Sequence, residues 1–205
     1  FESADCARAA SLMGVQGLAL LALCVVRGAG TEPRNASHAL VAGRRRLSDQ
    51  YAQIAKLVAS DAAAGHEFGD SVAIDGTTVV VGALGDDSYR GAAYVSRTLD
   101  GGATYNQVAK LTASDAAVGD IFGLFVAIDG NTIVVGALGD DDAGSMSGSA
   151  YVFGTTDGGA TYGQVAKLTA SDGATQERDL FGCSVAIDGG TVVVGARLDD
   201  DGGTN

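Results

Sequence analysis

One segment is written three times in this chain. Tyr51–Ser60 reads YAQIAKLVAS, Tyr105–Ser114 reads YNQVAKLTAS and Tyr162–Ser171 reads YGQVAKLTAS. A second block follows each: FGDSVAIDGTTVVVGA from Phe68, FGLFVAIDGNTIVVGA from Phe122 and FGCSVAIDGGTVVVGA from Phe181. The shared lysine recurs at Lys56, Lys110 and Lys167, a period of roughly 55 residues that marks one supersecondary unit used repeatedly.

Within the second block, large and small residues alternate. Phe68, Asp70, Val72 and Ile74 share one side, and Gly69, Ser71 and Ala73 share the other. Period-two alternation predicts a strand packed on both faces. Phe125 interrupts the small side of the second copy. Asp75-Gly76, Asp129-Gly130 and Asp188-Gly189 then separate two apolar runs, a strong hairpin signal. A third strand is expected at Ala92–Ser96 and Ser149–Phe153, and a fourth at Gln107–Ala113 and Gln164–Ala170. The lysine on the fourth strand suits a solvent-facing edge, where charge discourages unwanted pairing. The unit is thus a four-stranded antiparallel meander. Tandem meanders that cover each other's faces describe an all-β chain, a partial β-propeller with an incomplete ring. A sandwich domain needs about 100 residues, so this repeat is too short for one.

Charge divides the chain in two. Residues 1–50 carry six Arg against four acids, whereas residues 51–205 carry seven Lys or Arg against twenty-one Asp or Glu. An acidic repeat region excludes a nucleic-acid partner, which would require a basic surface. Residues 1–47 read as a signal-like leader and flexible linker, and 48–205 as the repeat region, with repeats at about 51–104, 105–161 and a truncated 162–205. The apolar run Leu12–Val26 is short for a membrane span, which takes about 20 residues, and matches the core of a secretory signal, with a signal anchor as the alternative. Asn35-Ala36-Ser37 is a glycosylation sequon, which fits a secreted or cell-surface chain. Membrane attachment is expected only through the leader or a C-terminal segment beyond residue 205. Cys6 and Cys24 fall in the leader, leaving Cys183 in the repeats and no disulfide framework.

The paired marks Phe68-Gly69 with Gly82-Ala83, Phe122-Gly123 with Gly136-Ala137, and Phe181-Gly182 with Gly195-Ala196 resemble the FG-GAP repeats of the integrin α-subunit propeller. Leu84, Leu138 and Arg197 stand where that pattern has proline. The resemblance implies a fragment of a longer ring and a non-enzymatic adhesion-type module that binds a protein or glycan. It also raises calcium, which many such repeats hold in a D-x-D-x-D-G loop. Here the matching hairpin offers a single Asp-Gly, so no calcium is assigned to it. The one cluster to be tested for calcium is Asp140, Asp141 and Asp142; acids in succession are otherwise a solvated loop. No other cofactor is expected.

Thr98–Tyr105 (TLDGGATY) and Thr155–Tyr162 (TTDGGATY) resemble the Asp-box of sialidase-type propellers, with Thr for Ser and Tyr for Trp. That box is structural, its Asp accepting N–H bonds within a turn. It suggests the alternative of a carbohydrate-binding or carbohydrate-processing propeller, with any catalytic part outside this chain. Neither His38 nor His66 recurs or has a nucleophile motif beside it, and the arginines of the repeats (Arg90, Arg97, Arg178, Arg197) share no repeat position. Ligand contacts are expected in the variable segments Ala62–Glu67, Ala116–Ile121, Gly173–Leu180, Asp87–Gly91 and Asp142–Gly148.

Overall fold

The computed structural model describes residues 23–28, 51–171 and 178–199. Asn35, and most of the apolar run, lie outside the described residues. Among the described residues, twelve strands follow in order. They are β1 (Leu23–Gly28), β2 (Tyr51–Leu57), β3 (Phe68–Asp75), β4 (Thr78–Ala83), β5 (Ala92–Arg97), β6 (Asn106–Leu111), β7 (Phe122–Asp129), β8 (Thr132–Ala137), β9 (Ser149–Gly154), β10 (Gly163–Leu168), β11 (Phe181–Asp188) and β12 (Thr191–Ala196). They form two complete antiparallel meanders, β3-β4-β5-β6 and β7-β8-β9-β10, and two half-blades, β1-β2 and β11-β12. These are partial propeller blades without ring closure.

The hairpins form where the Asp-Gly pairs stand. Asp75 faces Thr78 and Asp129 faces Thr132 across two-residue turns. The first turn residue has positive φ each time, 52° at Gly76, 53° at Gly130 and 55° at Gly189, which glycine adopts without steric cost. The register slips between Phe68 and Val72, and again between Phe122 and Phe125. The slip is a bulge centred on the FG glycine, whose φ is 109° at Gly69 and 96° at Gly123.

The blades stack face to face through three apolar clusters. Val80, Ala93 and Val95 of the first blade pack with Phe122, Ile133, Val135, Tyr151 and Phe153 of the second. Val134, Ala150 and Val152 meet Phe181, Val185, Ile187 and Val194 on the next half-blade. On the upstream side, Leu57 at the end of β2 and Ala59 just beyond it cover Phe68, Val79, Val81 and Tyr94. Each fully buried Val, Phe or Ile contributes about 1.5–3 kcal/mol, so these interfaces rather than any single sheet hold the array together. Packing on both faces holds for β7 but not for β3. Val72 and Ile74 are 52% and 62% exposed, because their face points upstream where, among the described residues, only β1-β2 stands. Nothing in the structure explains Phe125.

The FG and GA marks are two halves of one joint. A Cβ built on Gly82 would lie 1.8 Å from the Gly123 carbonyl oxygen, and one on Gly136 would lie 2.1 Å from that of Gly182. Gly91 bridges Phe122, and Gly148 bridges Phe181. Glycine is required because two backbones touch. Side chains lock the same joint. Asp75 Oδ2 accepts the Gly130 N–H of the next hairpin at 2.7 Å, and Asp129 Oδ2 accepts that of Gly189 at 2.6 Å. Gln107 accepts the Ser60 N–H and donates to Ser60 Oγ, both at 2.9 Å. Gln164 repeats the pair on Ser114 at 2.9 and 3.0 Å.

Leu23–Gly28, inside the segment read as leader, pairs antiparallel with β2, which therefore has a neighbour upstream.

Candidate functional site

The loops divide between two rims. The hairpin turns and Asp-box loops share one, since the Thr98 N–H donates to the Thr77 carbonyl and that of Thr155 to Asn131. The loops after the second and fourth strands share the other. There the Ile121 and Phe122 N–H groups donate to the carbonyls of Tyr89 and Arg90 at 2.9 and 3.2 Å. Those of Leu180 and Phe181 likewise donate to Met146 and Ser147 at 3.2 and 2.9 Å. The loop leaving one blade's second strand is thus laced to the loop that enters the next blade.

The lysines expected at solvent-facing edges instead centre this rim. Lys110 Nζ lies 2.7 Å from Asp61 Oδ2 and 2.8 Å from Asp86 Oδ2, with the Tyr94 ring 5.3 Å below. The Tyr94 hydroxyl is 2.6 Å from Asp86 and 2.8 Å from Asp61, donating to one at a time. Phe68 meets the Tyr94 ring edge-on at 5.5 Å. His66 Nδ1 is 3.2 Å from Asp86 Oδ2, a contact without the alignment of a hydrogen bond. The second copy repeats the arrangement. Lys167 Nζ lies 2.8 Å from both Asp115 Oδ2 and Asp140 Oδ2 and 2.5 Å from Asp142 Oδ2. Tyr151 reaches Asp140 at 2.6 Å and Asp115 at 2.8 Å.

Burial pushes the Asp140 carboxyl up, but hydrogen bonds from Lys167 and Tyr151 outweigh it and hold it below the ordinary carboxylate range. Asp61 and Asp115 are lowered by the same contest. Burial also opposes the charge on Lys167, yet its carboxylate neighbours raise it far above an ordinary lysine. Asp120 goes the other way: burial raises it, the Ala117 N–H only partly offsets that, and the Asp140 charge adds to the rise.

Asp86 and Asp140 are 4% and 3% exposed, so the acid runs are not simply solvated loops. Their first member turns in to the network. Asp141 turns away, its Oδ1 accepting the Met146 N–H at 2.7 Å. The carboxylates that do converge are Asp115, Asp140 and Asp142, within 4.8 Å of one another, and the Lys167 ammonium already stands among them. Asp75 and Asp129 in the hairpins each accept a neighbouring N–H. Neither set offers the open ring of oxygens that calcium requires, so the residues do not fit that ion.

The Asp-box resemblance holds in geometry. Asp100 accepts the Thr104 N–H at 2.9 Å and its hydroxyl at 2.6 Å, while the Gly102 N–H donates to Thr98 Oγ1 at 2.8 Å. Asp157 does the same for Thr161 at 3.0 and 2.6 Å. Hydrogen bonds from the following threonine hold both carboxyls far below the usual range, and the groups are spent within their own loops.

Of the segments expected to vary, Asp87–Gly91, Ala116–Ile121 and Asp142–Gly148 come together on the lysine rim, joined by Ala62–Glu67. Most of Gly173–Leu180 lies outside the described residues. The rim exposes Tyr89 (48%), Val118 (63%) and Met146 (39%). Asp86–Tyr89 makes one helical turn in which Asp87 and Ser88 are left-handed, at φ 44° and 62°. The β-branched Ile121 also has φ 58°, a strained conformation that the cross-blade hydrogen bonds hold in place. Two-stage recurrence of Lys with Asp61/Asp115, Asp86/Asp140 and Tyr94/Tyr151 is visible in the sequence and was the available signal for the network.

Repeated four-stranded blades, mated through glycine contacts, define a propeller-type repeat module. The FG-GAP repeat model matches residues 51–96, 105–153 and 162–205, and the chain belongs to that family. Such repeats form modules often involved in ligand binding or adhesion, and they occur generally in extracellular or cell-surface proteins. No curated protein matches this chain. Among the described residues, no helix is long and apolar enough to cross a membrane.

Proposed function

We propose that this chain is a non-enzymatic interaction module, secreted or displayed at the cell surface, that binds a protein or glycan through its lysine rim. The observation that carries this reading is the laced rim itself. Two loop families from adjacent blades are hydrogen-bonded into one surface, and that surface presents Tyr89, Val118 and Met146 to solvent. Ordered loops lose little entropy on binding, and apolar side chains among polar ones are what a recognition surface needs. The repeat region's excess of acids favours a ligand with basic groups beside apolar ones. Lys110, Lys167 and the carboxylates around them are engaged in holding loops, which supports binding rather than catalysis. The Asp-box carboxylates are likewise committed within their turns.

The test is a screen of the purified chain against glycan and extracellular-protein arrays, repeated with Tyr89→Ala/Val118→Ser/Met146→Ser. Leu99→Ser serves as control, since Leu99 is 90% exposed on the opposite rim. Hits lost with the triple variant and kept by the control are expected. Hits that depend on Leu99 and ignore the triple variant would move the site to the other rim. Export is read separately, from an endoglycosidase-sensitive glycan on Asn35 in a secreting host.

A further inference from the structure

Two residues before each Phe-Gly mark the chain carries a titratable side chain: His66, Asp120 and Asp179. The position has the same backbone role in every copy. Its carbonyl accepts an N–H from the loop that leaves the second strand, from Gly85 at 3.2 Å, Gly139 at 3.0 Å and Leu198 at 3.2 Å. The two loops also press backbone on backbone. A Cβ built on Gly85 would lie 1.9 Å from the Gly65 carbonyl oxygen, and one on Gly139 would lie 2.2 Å from that of Gly119. A change at this side chain therefore passes directly to the loop beyond Gly85, which carries the exposed Tyr89. In the second copy the position is an acid, and burial, then the charge of the neighbouring Asp140, oppose its ionisation. The first copy puts a base there instead.

His66 Nδ1 is 3.2 Å from Oδ2 of the buried Asp86, is itself shut off from water, and has no hydrogen-bond partner among the described residues. Asp86 is held from its other side by Lys110 of β6 and by the Tyr94 hydroxyl of β5. Asp61, in the loop after β2, shares both of those partners. Glu67 follows His66 on its own segment, with the Asp70 charge acting on it. A neutral imidazole carries one N–H. With that proton on Nε2, the lone pairs of Nδ1 and Oδ2 face each other. A second proton removes the repulsion and gives Asp86 a charged donor, the stronger kind of hydrogen bond.

We propose that His66 is a proton-operated latch: its protonated ring closes on Asp86 and fixes residues 85–91, and its neutral ring lets that loop loosen. Among the three copies only the first holds histidine at this position. Histidine has an ordinary value of about 6.5, which places the change between about pH 5 and 8. The added hold is present in full below the ordinary value and fades as pH rises above it. The latch itself needs no ligand. Its consequence for binding rests on the rim reading above: Tyr89 is presented on a fixed loop in mildly acidic surroundings and on a looser one at alkaline pH.

Hydrogen exchange on the full chain, read at about pH 8 and pH 6 and corrected for the intrinsic pH dependence of exchange, tests the latch directly. The amides of residues 85–91 are expected to gain about fivefold in protection at the lower pH, as a charge-assisted hydrogen bond replaces a repulsive contact. His66→Asn and His66→Gln take up no proton and should show no gain. A loop whose protection ignores pH in the unmodified chain overturns the proposal. Equal gains in the unmodified chain and in both variants overturn it as well, because another group would then be the sensor. A rim ligand from the array screen should bind more tightly at pH 6 than at pH 8, and equally at both with His66→Asn. Protection that follows pH while binding does not would uphold the latch and count against Tyr89 as a contact, so the two readings fail separately.

Discussion

Lys167 and Asp120 stand at opposite ends of one electrostatic problem. Four carboxylates, Asp115, Asp120, Asp140 and Asp142, share a rim with one ammonium group, and three of them touch it. Removing the ammonium leaves Asp140, only 3% exposed, with the Tyr151 hydroxyl and the Asp142 N–H as its remaining donors. Breaking a buried pair costs about 3–5 kcal/mol, and the Lys167 side chain is 20% exposed, so Lys167→Met is expected to cost about 2 kcal/mol by urea unfolding. Asp120 is the carboxylate left out. Its pKa is raised, so its ionised form is disfavoured in the folded state and its cost sets in as pH rises from the unfolded value of about 3.9 through the folded one. Asp120→Asn keeps an oxygen for the Ala117 N–H and removes the charge. Melting curves should show the variant more stable than the parent near neutral pH, with the gain disappearing below about pH 4. A loss of stability at pH 7 would mean that Asp120 is held by a cation.

At the scale of elements, each strand's glycines are explained by the neighbouring blade and not by the strand itself. Gly136→Ala places a Cβ 2.1 Å from the Gly182 carbonyl oxygen, a backbone atom that cannot swing aside. Overpacking of this kind costs about 1–3 kcal/mol, and the upper end is expected here because the two sheets must separate. Gly163→Ala in β10 meets nothing within 4 Å and should be neutral or slightly stabilising; comparison of the two by thermal melting isolates the joint. The repeat made these elements legible in advance. Period-two alternation located the first strands, Asp-Gly the hairpins, and the repeated DGGATY the turn before the fourth strand. The reason for the marks was not legible, because Gly82 and Gly123 are 41 positions apart and only folding brings them together. For the same reason a lysine on an apolar strand looked like an edge charge, when the Asp that surround it come from two other loops. Leu23–Gly28 carries none of the repeat marks and sits in an apolar run, so only the structure shows that it pairs with β2.

For the whole molecule, stability should follow how many blades cover each sheet. β4 is buried along its length, and β8 and β9 are buried at all but one residue each, since their blades have neighbours on both sides. β12, the same strand one repeat later, has no buried residue, since among the described residues no further blade covers its downstream face. In a repeat array, free energy is a sum of unit and nearest-neighbour terms, so a half-blade with one neighbour opens before the blades behind it. Hydrogen exchange followed by mass spectrometry should therefore find the amides of β11-β12 exchanging first and those of β4, β5, β8 and β9 last. The spread is expected to exceed about 100-fold, since one lost interface of a few kcal/mol is worth more than that in the opening constant. Uniform exchange from β3 to β12 would show that the array opens as one cooperative unit. The blade-by-blade account of its stability would then be wrong.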